Sequence, residues 1–226
     1  MNLTEILSQL YSGLWVTLQL MVLSLTIGFL LALGFTLLLE TGRVYFKVII
    51  NAFIFMIRGT PLLVQIFIIY YGSGEFFWLH HTFLWELFKH PMGCAVVALV
   101  FNTSAYTTVL LRGAIHSIPA GEIEACQALG FSRWQMYYCV ILPRAFRMVL
   151  PAYSNEVILV LKGTSLASTI TLMDLMGVTT HWIAITYQTI PLLIIASIFY
   201  WTLNGFIIGG FRLLERRWLL GYTIKI

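Results

Sequence analysis

From Ser12 to Leu39 the chain contains no Asp, Glu, Lys or Arg. Crossing the hydrocarbon core of a bilayer takes about 20 apolar residues of helix, and this run supplies them. The rest of the chain has the same character: 60% of its 226 residues are hydrophobic and 10% charged, against about 25% charged in a soluble globular domain. A soluble fold of this size has too little polar side chain to cover that much apolar surface. The sequence therefore predicts an integral membrane protein. Its first residues, Met1-Asn2-Leu3-Thr4-Glu5, lack the basic stretch of a cleaved signal, so the first span is expected to direct insertion itself.

Four further apolar segments follow. Val48 to Tyr71 is interrupted by Arg58-Gly59-Thr60-Pro61; a residue before proline avoids the α region and proline has no N–H to donate, so a kink is expected there, near the membrane surface. Gly72 to Pro91 is rich in aromatic rings and in His80, His81 and His90, a composition suited to lying at a bilayer interface. A third span covers Met92 to Leu111, a fourth Tyr153 to Leu172, and a fifth about Ile190 to Phe211, with a short connection holding Asp174, Gly177 and His181 before it. The C-terminal stretch Arg212 to Trp218 is basic and amphipathic. The expected architecture is all-α, multi-pass, with five transmembrane helices in one domain over residues 1–226, without internal repeat or linker.

Lys and Arg gather on the cytoplasmic side of a membrane protein. With the N-terminus outside and five spans, that side receives Arg43, Lys47, Arg58, Arg112, Arg133, Arg144, Arg147, Arg212, Arg216, Arg217 and Lys225. Only Lys89 is left outside and Lys162 within a span. The expected topology is thus N-terminus periplasmic and C-terminus cytoplasmic, with Arg58 a cytoplasmic anchor. The basic residues are dispersed and form no aromatic-interleaved patch of the kind that binds nucleic acid. Cys94, Cys126 and Cys139 have no metal-site or disulfide spacing and are read as small packing residues. The three histidines lack an acid or cysteine at ligand spacing, so no metal site is expected. No nucleophile elbow and no phosphate-cradling Gly-Lys-Ser/Thr loop occurs, so the chain itself should neither hydrolyse ATP nor act as an enzyme.

One polar island stands out, at about residues 113–150. Glu122 to Leu129 is composed of helix formers, Gly130 can end that helix with a positive φ, and Ser132 is placed to cap a second short helix from Arg133 that stops before Leu142-Pro143. Two short helices joined by a glycine turn would form a cytoplasmic knob.

Here the sequence resembles a known family. Glu124-Ala125-Cys126, then Gly130, then Val140, Leu142 and Pro143 are similar to the EAA signature of permease subunits in bacterial ATP-binding-cassette importers, with Cys126 where alanine is usual and Val140 where isoleucine is usual. Arg58 to Gln65, Asn102 to Tyr106, Leu150 to Glu156 and Thr164 to Ala167 resemble segments of polar-amino-acid permeases, above all the M-type subunits of the arginine and histidine/lysine/arginine importers. The resemblance implies a type I importer permease (MetI-like) in the bacterial inner membrane. In it the knob is a coupling helix, with Glu122, Glu124, Ala125, Gly130, Leu142 and Pro143 docking on an ATPase. It also implies a second related permease, an ATPase dimer holding ATP and magnesium, a periplasmic amino-acid-binding protein and a polar, basic cargo, arginine first and histidine or lysine next. A carrier or channel working without an ATPase is the competing reading, against which the absence of paired halves counts.

Substrate contacts implied by the resemblance are Gln65, Asn102, Thr103, Tyr106, Ser165, Ser168 and Asp174. Asn102 and Tyr106 share a helix face, and such groups also hold helices together by hydrogen bonds; both readings stand at this level. Glu156 and Lys162 are six residues apart, off the spacing of a helical ion pair. Glu156 reads first as a helix-end charge snorkelling to the surface, and Lys162 equally as that or as part of a polar path.

Overall fold

The computed structural model describes residues 3–219, which are almost wholly helical, with no strand among them. The uncharged N-terminal run lies within α1 (Leu3–Glu40), which begins well before the predicted span. A turn at Thr41–Arg43 leads into α2 (Val44–Gly59), and α3 (Leu62–Glu75) follows after two extended residues, Thr60 and Pro61. The proline forces its predecessor out of the helical region. The result is a corner of 106°, sharper than the kink expected.

Between α3 and the next span the aromatic stretch is ordered, as a 3-10 turn at Phe77–His81 and a short α4 (Trp85–Phe88). His80 stacks on Trp85 with centroids 3.9 Å apart. Lys89 reaches Glu86 at 2.5 Å, and this hydrogen-bonded pair holds the Glu86 carboxyl below its ordinary range. The stretch folds down onto the start of α5 (Pro91–His116), where a Cβ on Gly93 would stand 1.9 Å from the Leu87 carbonyl. Glycine is required there for the approach.

α5 is the hub. Two thirds of its spanning window (67%) is buried, against 28% for α1 and 11% for α10 (Thr189–Leu219). α10 instead turns Ile190, Ile194, Ile198 and Trp201 outward, a stripe at helical spacing suited to lipid. α1 reaches the hub through Gly28, where a Cβ would lie 2.3 Å from Cγ2 of Thr103. Gly28→Ala is therefore expected to lower the melting temperature of the detergent-solubilised protein, at a cost of about 1–3 kcal/mol for overpacking. Adding Thr103→Ser, which removes that methyl, should recover most of the loss.

After α5 come α6 (Ala120–Ala128) and α7 (Arg133–Met136). The helix that α7 opens does not stop before Leu142-Pro143 as expected. A widened turn at Tyr137–Ile141 carries it into α8 (Leu142–Thr164), and a 3-10 turn, Ser165–Ile170, completes it. The wider turn lies just where Pro143 would otherwise need an α-helical donor, so proline is absorbed rather than ending the helix. The connection expected around Gly177 and His181 is itself helical, α9 (Leu175–Thr186), 47° off the preceding helix. Among the described residues three helices, α1, α5 and α10, are long and apolar enough to cross a membrane, and the two bent pairs bring the number to as many as five. The basic C-terminal stretch continues α10 as far as Leu219; Lys225 lies outside the described residues.

Candidate functional site

The polar island folds into the predicted knob. Gly130 has φ +76, its N–H donates to the Gln127 carbonyl at 2.9 Å and that of Phe131 to the Cys126 carbonyl at 3.0 Å. This closes α6 with a left-handed residue. Ser132 opens α7 with a capping box: its hydroxyl accepts the Gln135 N–H at 3.3 Å and the Gln135 side chain accepts the Ser132 N–H at 2.9 Å. One face of α6 is anchored, since Cys126 and, in part, Ile123 pack with Leu111, Ile115, Met136 and Ala145. The other face, with Glu124, Ala125 and Gln127, is exposed, as is Pro143, while Leu142 is half-buried.

Glu122 is turned inward and receives a charge-assisted hydrogen bond from Arg144, at the start of α8. The knob is thereby clamped to the long helix as well as joined to it by the chain. A second cluster lies at the same end: Glu40, closing α1, faces Arg112 at 3.5 Å and His116 at 3.3 Å near the end of α5. Sequence reasoning missed the large apolar side chains that the knob exposes. Leu129, Trp134 and Tyr138 are 75%, 72% and 64% exposed, and the two rings stack 6.2 Å apart. The signal was available as large apolar residues inside a polar island. Cys139 departs from the packing role expected of all three cysteines: it is exposed, while Cys94 and Cys126 are buried.

Deeper in the chain the polar residues of α3, α5 and α8 meet. Gln65 is buried, and its amide nitrogen donates to the Ile57 and Thr60 carbonyls at 2.7 and 3.0 Å, stapling the α2–α3 corner. That fixes its oxygen as an acceptor, and Asn102 donates to it at 3.0 Å. Both amides are thus engaged in joining helices. Thr103 is fully buried, and Glu156 of α8 lies against it. Glu156 is only 5% exposed, so it is not the snorkelling helix-end charge expected. Its α8 begins at Leu142, eleven residues earlier than the predicted span suggested, which places Glu156 in the helix interior. Arg58 is exposed, and its guanidinium sits 5.1 Å over the ring of Tyr106. Tyr106 is ten residues, or about 15 Å of helix rise, from the end of α5 at His116.

The remaining candidates are bound up with local structure. Ser165 and Ser168 donate to the Lys162 and Ser165 carbonyls, each at 2.7 Å. Asp174 is fully buried and caps α9, accepting the Gly177 N–H at 2.9 Å and the Met176 N–H at 3.4 Å. Thr17 of α1 accepts the Leu175 N–H at 3.0 Å beside it. No group of three metal-ligating side chains occurs among the described residues.

The pattern of the family described as binding-protein-dependent transport system inner membrane component matches residues 24–220. The chain is 43% identical over 206 residues to the octopine transport system permease protein OccM of Rhizobium radiobacter, covering 91% of this chain and 84% of that one. It is 43% identical over 210 residues to the histidine/lysine/arginine/ornithine transport system permease protein HisM of Escherichia coli K12, covering 92% and 88%. With the arginine ABC transporter permease protein ArtM of Haemophilus influenzae it shares 41% over 213 residues, covering 94% and 93%. Among solved structures it is similar to an amino acid ABC transporter crystallised with histidines, with a TM-score of 0.85, 31% identity, and 95% and 96% of the two chains covered. The methionine transporter MetNI shares the fold, with a TM-score of 0.76 at 19% identity over 96% and 99%.

Proposed function

The chain belongs to the family of binding-protein-dependent transport system inner membrane components, and from that premise we propose that it carries a basic amino acid, arginine first and histidine or lysine next. It is the membrane-spanning, non-catalytic permease subunit of an amino-acid ATP-binding-cassette importer. A carrier working without an ATPase falls with that membership. The basic cargo is supported by likeness to permeases named for arginine and for histidine, lysine, arginine and ornithine. The working complex in this reading has a second, related permease, two ATPase subunits that hold the ATP and magnesium, and a periplasmic binding protein. This chain binds no cofactor. Its N-terminus is periplasmic and its C-terminus cytoplasmic, as the distribution of Arg and Lys favours.

The observation that carries the mechanism is the clamp between Glu122 and Arg144 at the root of α8. Glu124, Ala125, Gly130, Leu142 and Pro143 form the gripped part of the knob, and the exposed Leu129, Trp134 and Tyr138 supply apolar area of the kind that dominates protein interfaces. Closure of the ATPase pair moves the knob, and the near-continuous helix from Arg133 to Ile170 transmits that motion into the membrane. ATP thus shifts the population of inward- and outward-open states by binding them unequally. The test is purification of the chain from its native membrane followed by reconstitution. An ATPase should accompany it, and arginine uptake should require ATP inside the vesicles. Uptake that persists without ATP, with no ATPase retained, would sink the reading.

A further inference from the structure

The helix that carries the knob's motion has a soft point. Between α7 and α8 the widened turn at Tyr137–Ile141 resets the hydrogen-bond ladder, and turns of that kind are where helices bend and where functional sites collect. A push on α7 would be lost in bending there unless the turn is braced from outside. Downstream of it the ion pair of Arg144 with Glu122 supplies one brace. Upstream, the first residue of the turn, Tyr137, is half-buried and packs against the apolar cluster that holds Leu111 and Ile115 of α5.

Tyr137 also meets a carboxylate. Its hydroxyl faces Glu40, the last residue of α1, and Glu40 in turn faces Arg112 at 3.5 Å and His116 at 3.3 Å in the last turns of α5. One carboxyl group thus sits where the ends of α1 and α5 meet the root of the knob helix. The exposed Arg133, one turn before Tyr137, adds a further positive charge. The Glu40 side chain is 15% exposed and that of Arg112 31%, so solvent screens this pair less than one on the open surface. Yet Oε1 of Glu40 and Nε of Arg112, both buried, have no hydrogen-bond partner among the described residues. A pair built for stability alone would close to a hydrogen bond, since buried polar atoms are rarely left without one. Held short of that, the cations fix the carboxylate by charge and leave it available to the hydroxyl.

We propose that Glu40 is a positioning residue for coupling, which braces the widened turn, through Tyr137, against the ends of α1 and α5. The stroke taken up by the knob then moves these three helices as one body. This rests on the importer reading above and deepens it. Without the brace the stroke bends the turn and reaches α8 alone. With it the stroke also enters α5, the hub, and α1, which lies against α5 as closely as Gly28 on Thr103 allows. Arg112 and His116 hold the carboxylate in place, and Tyr137 links it to the turn by a hydrogen bond to a charged acceptor, stronger than one between neutral groups.

The experiment uses the assembled complex, with its ATPase and binding protein, in proteoliposomes, where arginine taken up and ATP hydrolysed are measured in the same vesicles. Tyr137→Phe removes one hydroxyl. It should leave the melting temperature and ATP hydrolysis unchanged and lower the arginine moved per ATP about 10-fold, the effect of one hydrogen bond to a charged group. Glu40→Gln should lower the same ratio, and adding it to Tyr137→Phe should lower the ratio little further, because both act through one link. Spin labels on the exposed native Cys139, within the turn, and on Thr41→Cys, just past the end of α1, read the brace without any cargo. On trapping with ATP and vanadate, their separation should stay fixed when Tyr137 is intact and change in Tyr137→Phe. A wild-type ratio in Tyr137→Phe, a lowered melting temperature with uptake and hydrolysis falling in parallel, or a separation that responds alike in both backgrounds would overturn the proposal. ATP-driven uptake by the wild-type complex, measured alongside, reports on the importer reading separately.

Discussion

Gly130→Pro leaves the chain in the membrane and abolishes ATP-driven uptake. Gly130 holds φ +76 and donates its N–H to Gln127; proline fixes φ near −65° and has no N–H, so both the turn and its hydrogen bond are lost. A penalty of about 3 kcal/mol or more at that turn lowers the correctly docked population about 100-fold. In proteoliposomes the variant complex should still hydrolyse ATP, with hydrolysis no longer tied to arginine delivered by the binding protein. Deleting Gly121 to Gly130 should do the same or detach the ATPase. Gly130→Ala retains the N–H and accepts the left-handed backbone at about 1–2 kcal/mol, so its uptake should fall by roughly 10-fold. Coupled transport at the wild-type rate in Gly130→Pro would remove the knob from the mechanism.

Gly177→Val is expected to leave no folded protein. A Cβ at Gly177 would stand 2.2 Å from the Leu172 carbonyl and 3.2 Å from the Asp174 carboxylate, and backbone cannot give way at a cap packed against α1. The same junction separates two roles for Asp174. As a cap it needs an acceptor and no charge, so Asp174→Asn should keep the melting temperature and most of the uptake, because asparagine caps as well as aspartate. Asp174→Ala leaves the Gly177 and Met176 amides unsatisfied in the interior and should cost about 2 kcal/mol or more. Loss of uptake in a fully stable Asp174→Asn variant would instead assign the carboxylate to the transport path.

How much of this was legible in the chain follows from the range of the forces involved. The spans could be read because transfer of apolar helix into hydrocarbon is nearly additive along the sequence. The knob could be read because Gly130 and Ser132 act on their nearest neighbours: the positive φ and the capping box are both where local chemistry puts them. The 106° corner was half legible, since Thr60-Pro61 announces a break and not its angle.

What failed to show were effects that depend on which helix lies alongside. Pro143 looked like a stop and is absorbed by the widened turn before it. Glu156 looked like a surface charge and is buried against Thr103. The contact of Arg58 with the ring of Tyr106 on α5 could not be read from the sequence. The cap that Asp174 makes on α9 beside Thr17, a residue 157 positions away in sequence, could not be read from the sequence either.

By itself, then, the sequence determined the solvent this protein lives in and a helix-turn-helix knob. Each is dictated by composition or by contacts within a few residues. Only the tertiary structure decided what the charges and amides inside the membrane do. In low dielectric the cost of such a group is set by the partner it meets across the bundle, and the order of residues along the chain does not specify that partner. Gln65 with Asn102 and Glu122 with Arg144 became distinguishable once α1, α3, α5 and α8 were packed together.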